Sequence, residues 1–404
     1  MITWSPIFHF YQPPTQDSDI TKQIVDSTYR PFFQLIKENP SLRLTVNITG
    51  SLTLQLNELN MVDVIESVKT LAASGQIEFV RSPIYHPIIP LIPDDVTLRQ
   101  LEYNTGVIEY YYGADPLSIV LPPELAIDET KLSLLADRYK HCLVDSTSLT
   151  TKNNLTDYCG IGIIRSDNDL TNFLRAYPSE LNVNKFHDFI EKHYPNSQTI
   201  ISVNDVELFG HHYEERLELF RDLVHSDWIS IKPLSEVIAL EQHNEVNELN
   251  DVVASSWTTT LNDKADETPF RLWRNPKSAL QMQYWNLIDL AYKNLHDTPQ
   301  PINDEGLRFS SAQKHFDKGV SSCHLYWLSN WPWWNPEIVE EGAKQLISCI
   351  RSLPRSQEEK IKAEALYSVF IKDLWTYHWS GKPEEQYEKY DEYYQEFKKS
   401  MSLS

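Results

Sequence analysis

Up to about residue 240, short β-prone runs alternate with helix-patterned segments, and this alternation constrains the fold more than any other feature of the chain. The strand candidates are ITWSPIFHF (2–10), LRLTVNI (42–48), IEFV (77–80), LSIVL (117–121), HCLVDS (141–146), GIGIIRS (160–166), TIISVN (199–204) and WISI (228–231). Between them lie helical patterns such as SDITKQIVDSTYRPFFQLIKEN, MVDVIESVKTLAASG and ETKLSLLADRYK. Strands separated by helices pair in parallel, through crossover connections. Seven or eight such units fit a TIM-like barrel, so an α/β barrel is expected over residues 1–245. After the acidic, Asn-rich stretch EQHNEVNELNDVV the pattern becomes long and helical, as in SALQMQYWNLIDLAYKNL, PEIVEEGAKQLISCIRSL and EEKIKAEALYSVFIKDLWTYHW. Residues 246–404 are therefore expected to form a helical domain packed on the barrel.

In a parallel barrel, reactive groups sit at the C-terminal strand ends. Reading those ends gives His9 and Gln12, then Tyr85 and His86, then Glu124 after two prolines. Further on come Arg165 with Asp167, then Asp205 with Glu207, His211 and His212. Glu124 and Asp205 each follow an apolar strand. Two carboxylates on facing strand ends are the minimum equipment for cleaving a glycosidic bond, one attacking the anomeric carbon and one protonating the leaving oxygen. A structural alternative stands beside this: Glu124 caps the following helix, while Asp205 and Glu207 hold loops.

Composition narrows the partners. The 404 residues carry a formal net charge of −21, which argues against nucleic acid or an anionic membrane surface. No apolar run approaches the roughly 18–20 residues of a membrane span. The opening MITWSPIFHF lacks the pattern of a signal peptide, and four scattered cysteines form no CxxC pair. A reduced, cytoplasmic protein is expected. Aromatic residues make up 12% of the chain, including eleven Trp, and several Trp lie in polar loops where an indole can stack on a sugar ring. Trp331, Trp333 and Trp334 form the densest group. A metal-dependent carbohydrate site built from His9, Asp205 and His211 is a weaker alternative, since no HxxxH or Asp–Asp pair accompanies them.

HFYQPP (9–14), IEFVRSPIYHPIIPLI (77–92), LPPE (121–124), NDVELFGHH (204–212) and LSNWPW (328–333) resemble, in order, the five motifs of glycoside hydrolase family 57. The resemblance implies a (β/α)7 barrel followed by a helical region that completes the active site. It also implies a retaining mechanism on α-linked glucan or oligosaccharide, of the α-amylase or 4-α-glucanotransferase type, with no cofactor and no catalytic metal. By motif, Glu124 is the nucleophile and Asp205 the general acid/base. His9, Glu78, Glu207 and Trp331 fall at or near substrate-contacting positions. His9 and Gln12 are expected to bond sugar hydroxyls, with His86, His211 and Asn330 lining the site. Asn330 stands where the family motif often has Asp. A barrel that binds carbohydrate without turning it over is the competing function.

Overall fold

Buried on both faces, the barrel strands read as nearly continuous apolar runs, and their pairing is parallel. The computed structural model describes residues 1–176, 180–195, 199–242, 247–299, 306–331 and 333–403. Strands β1 (Ile2–Phe10), β2 (Leu44–Ile48), β3 (Ile77–Phe79), β4 (Ile119–Val120), β5 (His141–Asp145), β7 (Ile161–Ser166) and β8 (Thr199–Asp205) form a seven-stranded circuit. Within it β1 pairs with β2 and β8, β2 with β3, and β5 with β4 and β7, all in parallel. Two links close the ring. Arg81 bridges β3 to Val120 of β4, and the Asp167 amide beyond β7 donates to Ile201 of β8 at 2.7 Å.

Alternation along β1 separates two cores. Trp4, Phe8 and Phe10 point outward and pack with Phe32, Phe186 and Phe220 of the surrounding helices. Ile7 points inward, joining Val80, Leu121, Leu143, Ile164, Ile201 and Val203 inside the barrel. The helix Leu234–Glu241 adds Leu234, Val237 and Ile238 to that interior, and its Leu234 amide donates to Thr45 at 2.7 Å. Thr45 is level with Ile7, two residues below His9, so this helix plugs the N-terminal end.

Two strands depart from expectation. WISI becomes β9 (Ile229–Ile231), which pairs with the N-terminal half of β1 and does not span the barrel. The segment β6 (Leu155–Tyr158) was not anticipated; it runs antiparallel to β7. Its polar sequence LTDY carries no strand signal, and pairing with β7 supplies one.

Beyond the barrel the chain is helical. Ala279–His296, Gly306–Gly319, Pro336–Ser352 and Gln357–His378 enclose a core of their own, built around Trp273, Tyr284, Phe316, Leu346 and Phe370. Ile88, Ile92, Val96 and Ala126 from the loops after β3 and β4 enter the same core, so the helices dock on the C-terminal face. Residues 247–260 stay on the barrel, where Glu248 bridges Asp157 and Ser255 bridges Ile127. Part of the acidic linker lies outside the described residues. Among the described residues no helix is long and apolar enough to cross a membrane.

Candidate active site

Register brings the first polar groups together: His9 is level with Asn47 on one side and with Asp205 on the other. The Asn47 amide donates to the Val80 carbonyl at 3.2 Å, which turns its oxygen toward His9 Nδ1, 2.7 Å away. Nδ1 then carries the proton, and Nε2 presents a lone pair. That Nε2 is buried and has no partner. Burial lowers the His9 pKa, against the opposing pull of the Asp205 charge and the Asn47 bond.

Glu124 is set by its neighbours in sequence. Pro122 holds extended backbone, and the chain then folds into a short 3-10 turn with Glu124 at φ +59° and Leu125 at φ +51°. Two consecutive left-handed non-glycine residues cost on the order of 1–3 kcal/mol each. The cost is borne because the turn is tied down elsewhere. The Trp257 amide donates to the Glu124 carbonyl at 3.0 Å, and the Trp257 indole donates to Glu124 Oε2 at 2.6 Å. Trp257 is braced in turn. Its carbonyl accepts from Asn168, which also donates to Asp145 at the end of β5. The side chain of Glu124 is 18% exposed, and Oε1 is the oxygen the indole does not hold. Burial and the Asp205 charge push the Glu124 carboxyl up to about 7, against the pull of the Trp257 bond and the Arg175 charge.

Around Glu124 stand groups from both halves of the chain. His9 and His86 stack at 4.9 Å, and Tyr11 and His86 at 4.2 Å. His86 Nδ1 lies 2.9 Å from the Ser322 hydroxyl and 3.9 Å from Glu124 Oε1. Burial, with His9 beside it, holds this imidazole neutral, so the approach to Glu124 is not an ion pair. The Ser322 amide donates to the His86 carbonyl, and Tyr11 bonds Ser321 at 2.8 Å. These bonds fix the helical region against the mouth.

Glu207 sits one turn beyond Asp205. Its Oε1 accepts from Gln12 at 3.0 Å and from the Tyr29 hydroxyl. Burial and the Asp205 charge raise its carboxyl to about 8, with both donors pulling the other way. Tyr29 ends a π-helical turn, Val25–Tyr29, of a kind that often marks functional sites. Gly210, at φ +142°, passes so close to this turn that a Cβ there would lie 2.3 Å from the Ser27 carbonyl oxygen. The glycine of NDVELFGHH lets β8 and the π turn share the site.

A family model described as glycosyl hydrolase family 57 matches residues 8–250. The chain belongs to this family. It is 33% identical over 98 residues to an α-amylase of Pyrococcus horikoshii, covering 24% of this chain but only 15% of that protein. It therefore matches about a seventh of that relative's length. Its fold is similar to a 4-α-glucanotransferase of Thermococcus litoralis (TM-score 0.67, 18% identity, 88% of this chain and 60% of that one). It is also similar to a GH57-type branching enzyme of Pyrococcus horikoshii (TM-score 0.68, 12% identity, 91% of this chain and 95% of that one).

Within this family 57 chain, Glu124, Asp205, His9 and His86 meet at one mouth, and three other expectations need correction. Glu78 lies in the barrel interior at the level of Thr45 and Ile7, two residues below His9. It accepts from Thr45 at 2.7 Å and from the Ser235 amide at 3.0 Å, capping the plug helix rather than facing a substrate. Gln12 donates to Glu207 and Tyr29 and accepts from Gln16, so it orients a carboxylate and keeps only the second lone pair of its Oε1 for a sugar. Arg165 pairs with Asp167 at 3.0 Å, and Asp167 also caps the next helix and accepts from Tyr194.

Partly exposed His211 lies 5.1 Å from His212, whose imidazole feels the Asp205 charge. Asn330, at φ +53°, donates to the Tyr377 hydroxyl at 2.6 Å. Trp331 is 39% exposed and meets Tyr390 edge-on at 5.1 Å. Among the described residues no three His, Cys, Asp or Glu side chains converge as a metal site. Sequence reasoning missed Trp257, Arg175, whose charge acts on Glu124, and Tyr326, whose hydroxyl feels the Glu124 charge. Trp257 alone had a signal, an indole in the polar loop WTTTLNDKADET.

Proposed function

We propose that the protein is a retaining glycosidase or transglycosidase acting on α-linked glucan, with Glu124 as nucleophile and Asp205 as general acid/base. The observation that carries this reading is the state of Glu124. One carboxylate oxygen is fixed by an indole N–H, the other faces the mouth, and Asp205 lies near enough for the two carboxyls to hold one proton between them up to about 7. In the first step a Glu124 oxygen bonds the anomeric carbon as the glycosidic C–O bond breaks. The departing oxygen takes its proton from Asp205. In the second step water or an acceptor hydroxyl gives its proton to Asp205 and attacks the same carbon. This releases the Glu124 carboxylate and restores the α configuration.

Free Nε2 of His9 supplies an acceptor beside Asp205 for a sugar hydroxyl. Trp331 and Trp333 supply stacking faces. Glu207, held by Gln12 and Tyr29, keeps a proton to about pH 8 next to Asp205 and limits the negative charge at the mouth. The four free thiols agree with a reduced, cytoplasmic setting, which we include in the proposal.

The test is a product profile on maltooligosaccharides, amylose and an aryl α-galactoside, with Glu124→Gln as control. Cleavage or transfer on the glucans, with α products and a silent control, supports the reading. A parent protein that processes no α-glycoside assigns the barrel to carbohydrate binding without turnover.

A further inference from the structure

Trp379 is 77% exposed, about twice as exposed as Trp331 or Trp333. It caps the helix Gln357–His378 at φ −78°, a backbone any residue adopts, so the helix end itself does not call for an indole. Large exposed aromatics rimmed by polar groups mark binding surfaces. Here the surroundings are ordered. The Trp375 ring lies 6.3 Å away at 25° to Trp379, and its indole N–H is fixed by Glu340 at 2.7 Å. Between them, His378 is 4.5 Å from the Trp379 ring, and its Nδ1 accepts from the Trp334 indole at 3.1 Å. With Nδ1 used as an acceptor, the neutral imidazole keeps an N–H at Nε2.

We infer that the aromatic side chains from Trp334 to Trp379 form a second carbohydrate track, holding an α-glucan chain outside the catalytic mouth. The inference rests on the glucan reading above. Two ring faces, with a fixed donor and a carboxylate between and beside them, match a sugar, which has an apolar C–H face and a hydroxyl edge. Continuity with the mouth names the occupant. Trp334 packs on Tyr377 at 5.0 Å, and Tyr377 accepts from Asn330 of the fifth motif. One residue before Trp334, Trp333 donates to Tyr326, which feels the Glu124 charge. Side-chain contacts thus link the catalytic centre to the rings around Trp379. The acidic surroundings and the net charge of −21 suit a neutral polymer better than a second copy of the same chain.

A remote contact raises affinity only for ligands long enough to reach it. Binding of maltotriose and of amylose is therefore measured by calorimetry on the parent and Trp379→Ala, with Trp379→Phe as a variant that keeps a ring, each carrying Glu124→Gln so that the sugar is not turned over. Trp379→Ala should weaken amylose about fivefold to tenfold, with maltotriose affinity and Tm unchanged, and Trp379→Phe should fall between. Equal amylose affinity in the parent and Trp379→Ala overturns the track and leaves the glucan reading in place. A parent that binds neither sugar overturns both. A concentration-dependent dimer lost in Trp379→Ala, with equal amylose binding, assigns the patch to a second copy and also overturns the track.

Discussion

At Glu124 the fold opposes ionisation: burial and the Asp205 charge hold the proton up to about 7, and the Trp257 indole is the strongest opposing influence. A protonated Glu124 cannot attack, so on an aryl glycoside whose good leaving group needs no acid, kcat/KM should rise with pH through about 7. The two neighbours move this limb in opposite directions. Asp205→Asn, assayed on an aryl glycoside with a good leaving group, removes a negative charge and should shift the limb to lower pH. Trp257→Phe removes a bond to the charged form and should shift it up by about one unit. A pH–rate series on the three proteins checks both, and a limb that stays put in both variants contradicts the coupling. These influences were only half legible in the sequence. Glu124 and Asp205 follow apolar strands and announce themselves. Trp257 reaches Glu124 across 133 positions of chain, a closeness that no local pattern encodes.

Elements meet at this site through close backbone approach. The π turn Val25–Tyr29 delivers Tyr29 to Glu207, and Gly210 leaves the space it occupies. Gly210→Ala should destabilise by at least about 1–3 kcal/mol from backbone strain alone, read as a lower denaturant midpoint. A midpoint equal to the parent's would show that the two elements have room to part. In the fifth motif, Trp331→Ala should weaken oligosaccharide binding by about 1–2 kcal/mol with little change in Tm, because the ring is partly exposed. A large fall in Tm with unchanged affinity would make Trp331 a packing residue. Helix–strand alternation foretold most barrel elements, since each apolar run is bounded by turn residues. It could not foretell that SDITKQIVDSTYRPFFQLIKEN is two α-helices joined by a π turn. It also gave no warning that Glu78 would cap a plug helix, because that helix comes from 157 residues further along the chain.

Over the whole molecule, the site has a stability consequence. Glu124 and Glu207 bind protons to about 7 and 8 in the folded state, well above the ordinary glutamate value that applies to the unfolded chain. Between about pH 4.5 and 8 the folded state therefore holds more protons, and stability falls as pH rises across that window. Glu207→Gln should reduce the loss between pH 5 and pH 8 by on the order of 2 kcal/mol, measured by chemical denaturation. Equal losses in parent and variant would contradict the raised carboxyl. At this scale the sequence was most informative. Parallel pairing and the change to helices after the barrel follow from apolar periodicity, which long-range packing does not disturb, whereas docking on the catalytic face was implied by the family resemblance. What stayed hidden were β6 and the short span of β9, because β6 takes its order from its partner and not from its own residues.

The central claim, that Glu124 attacks and Asp205 protonates, is tested most directly by the anomeric configuration of the product formed when azide rescues Glu124→Ala on an activated α-glucoside. Azide entering the space vacated by the carboxylate displaces the leaving group from the β face. The account predicts a β-glycosyl azide, resolved by NMR. An α-glycosyl azide from Glu124→Ala, or turnover equal to the parent's without azide, would contradict it.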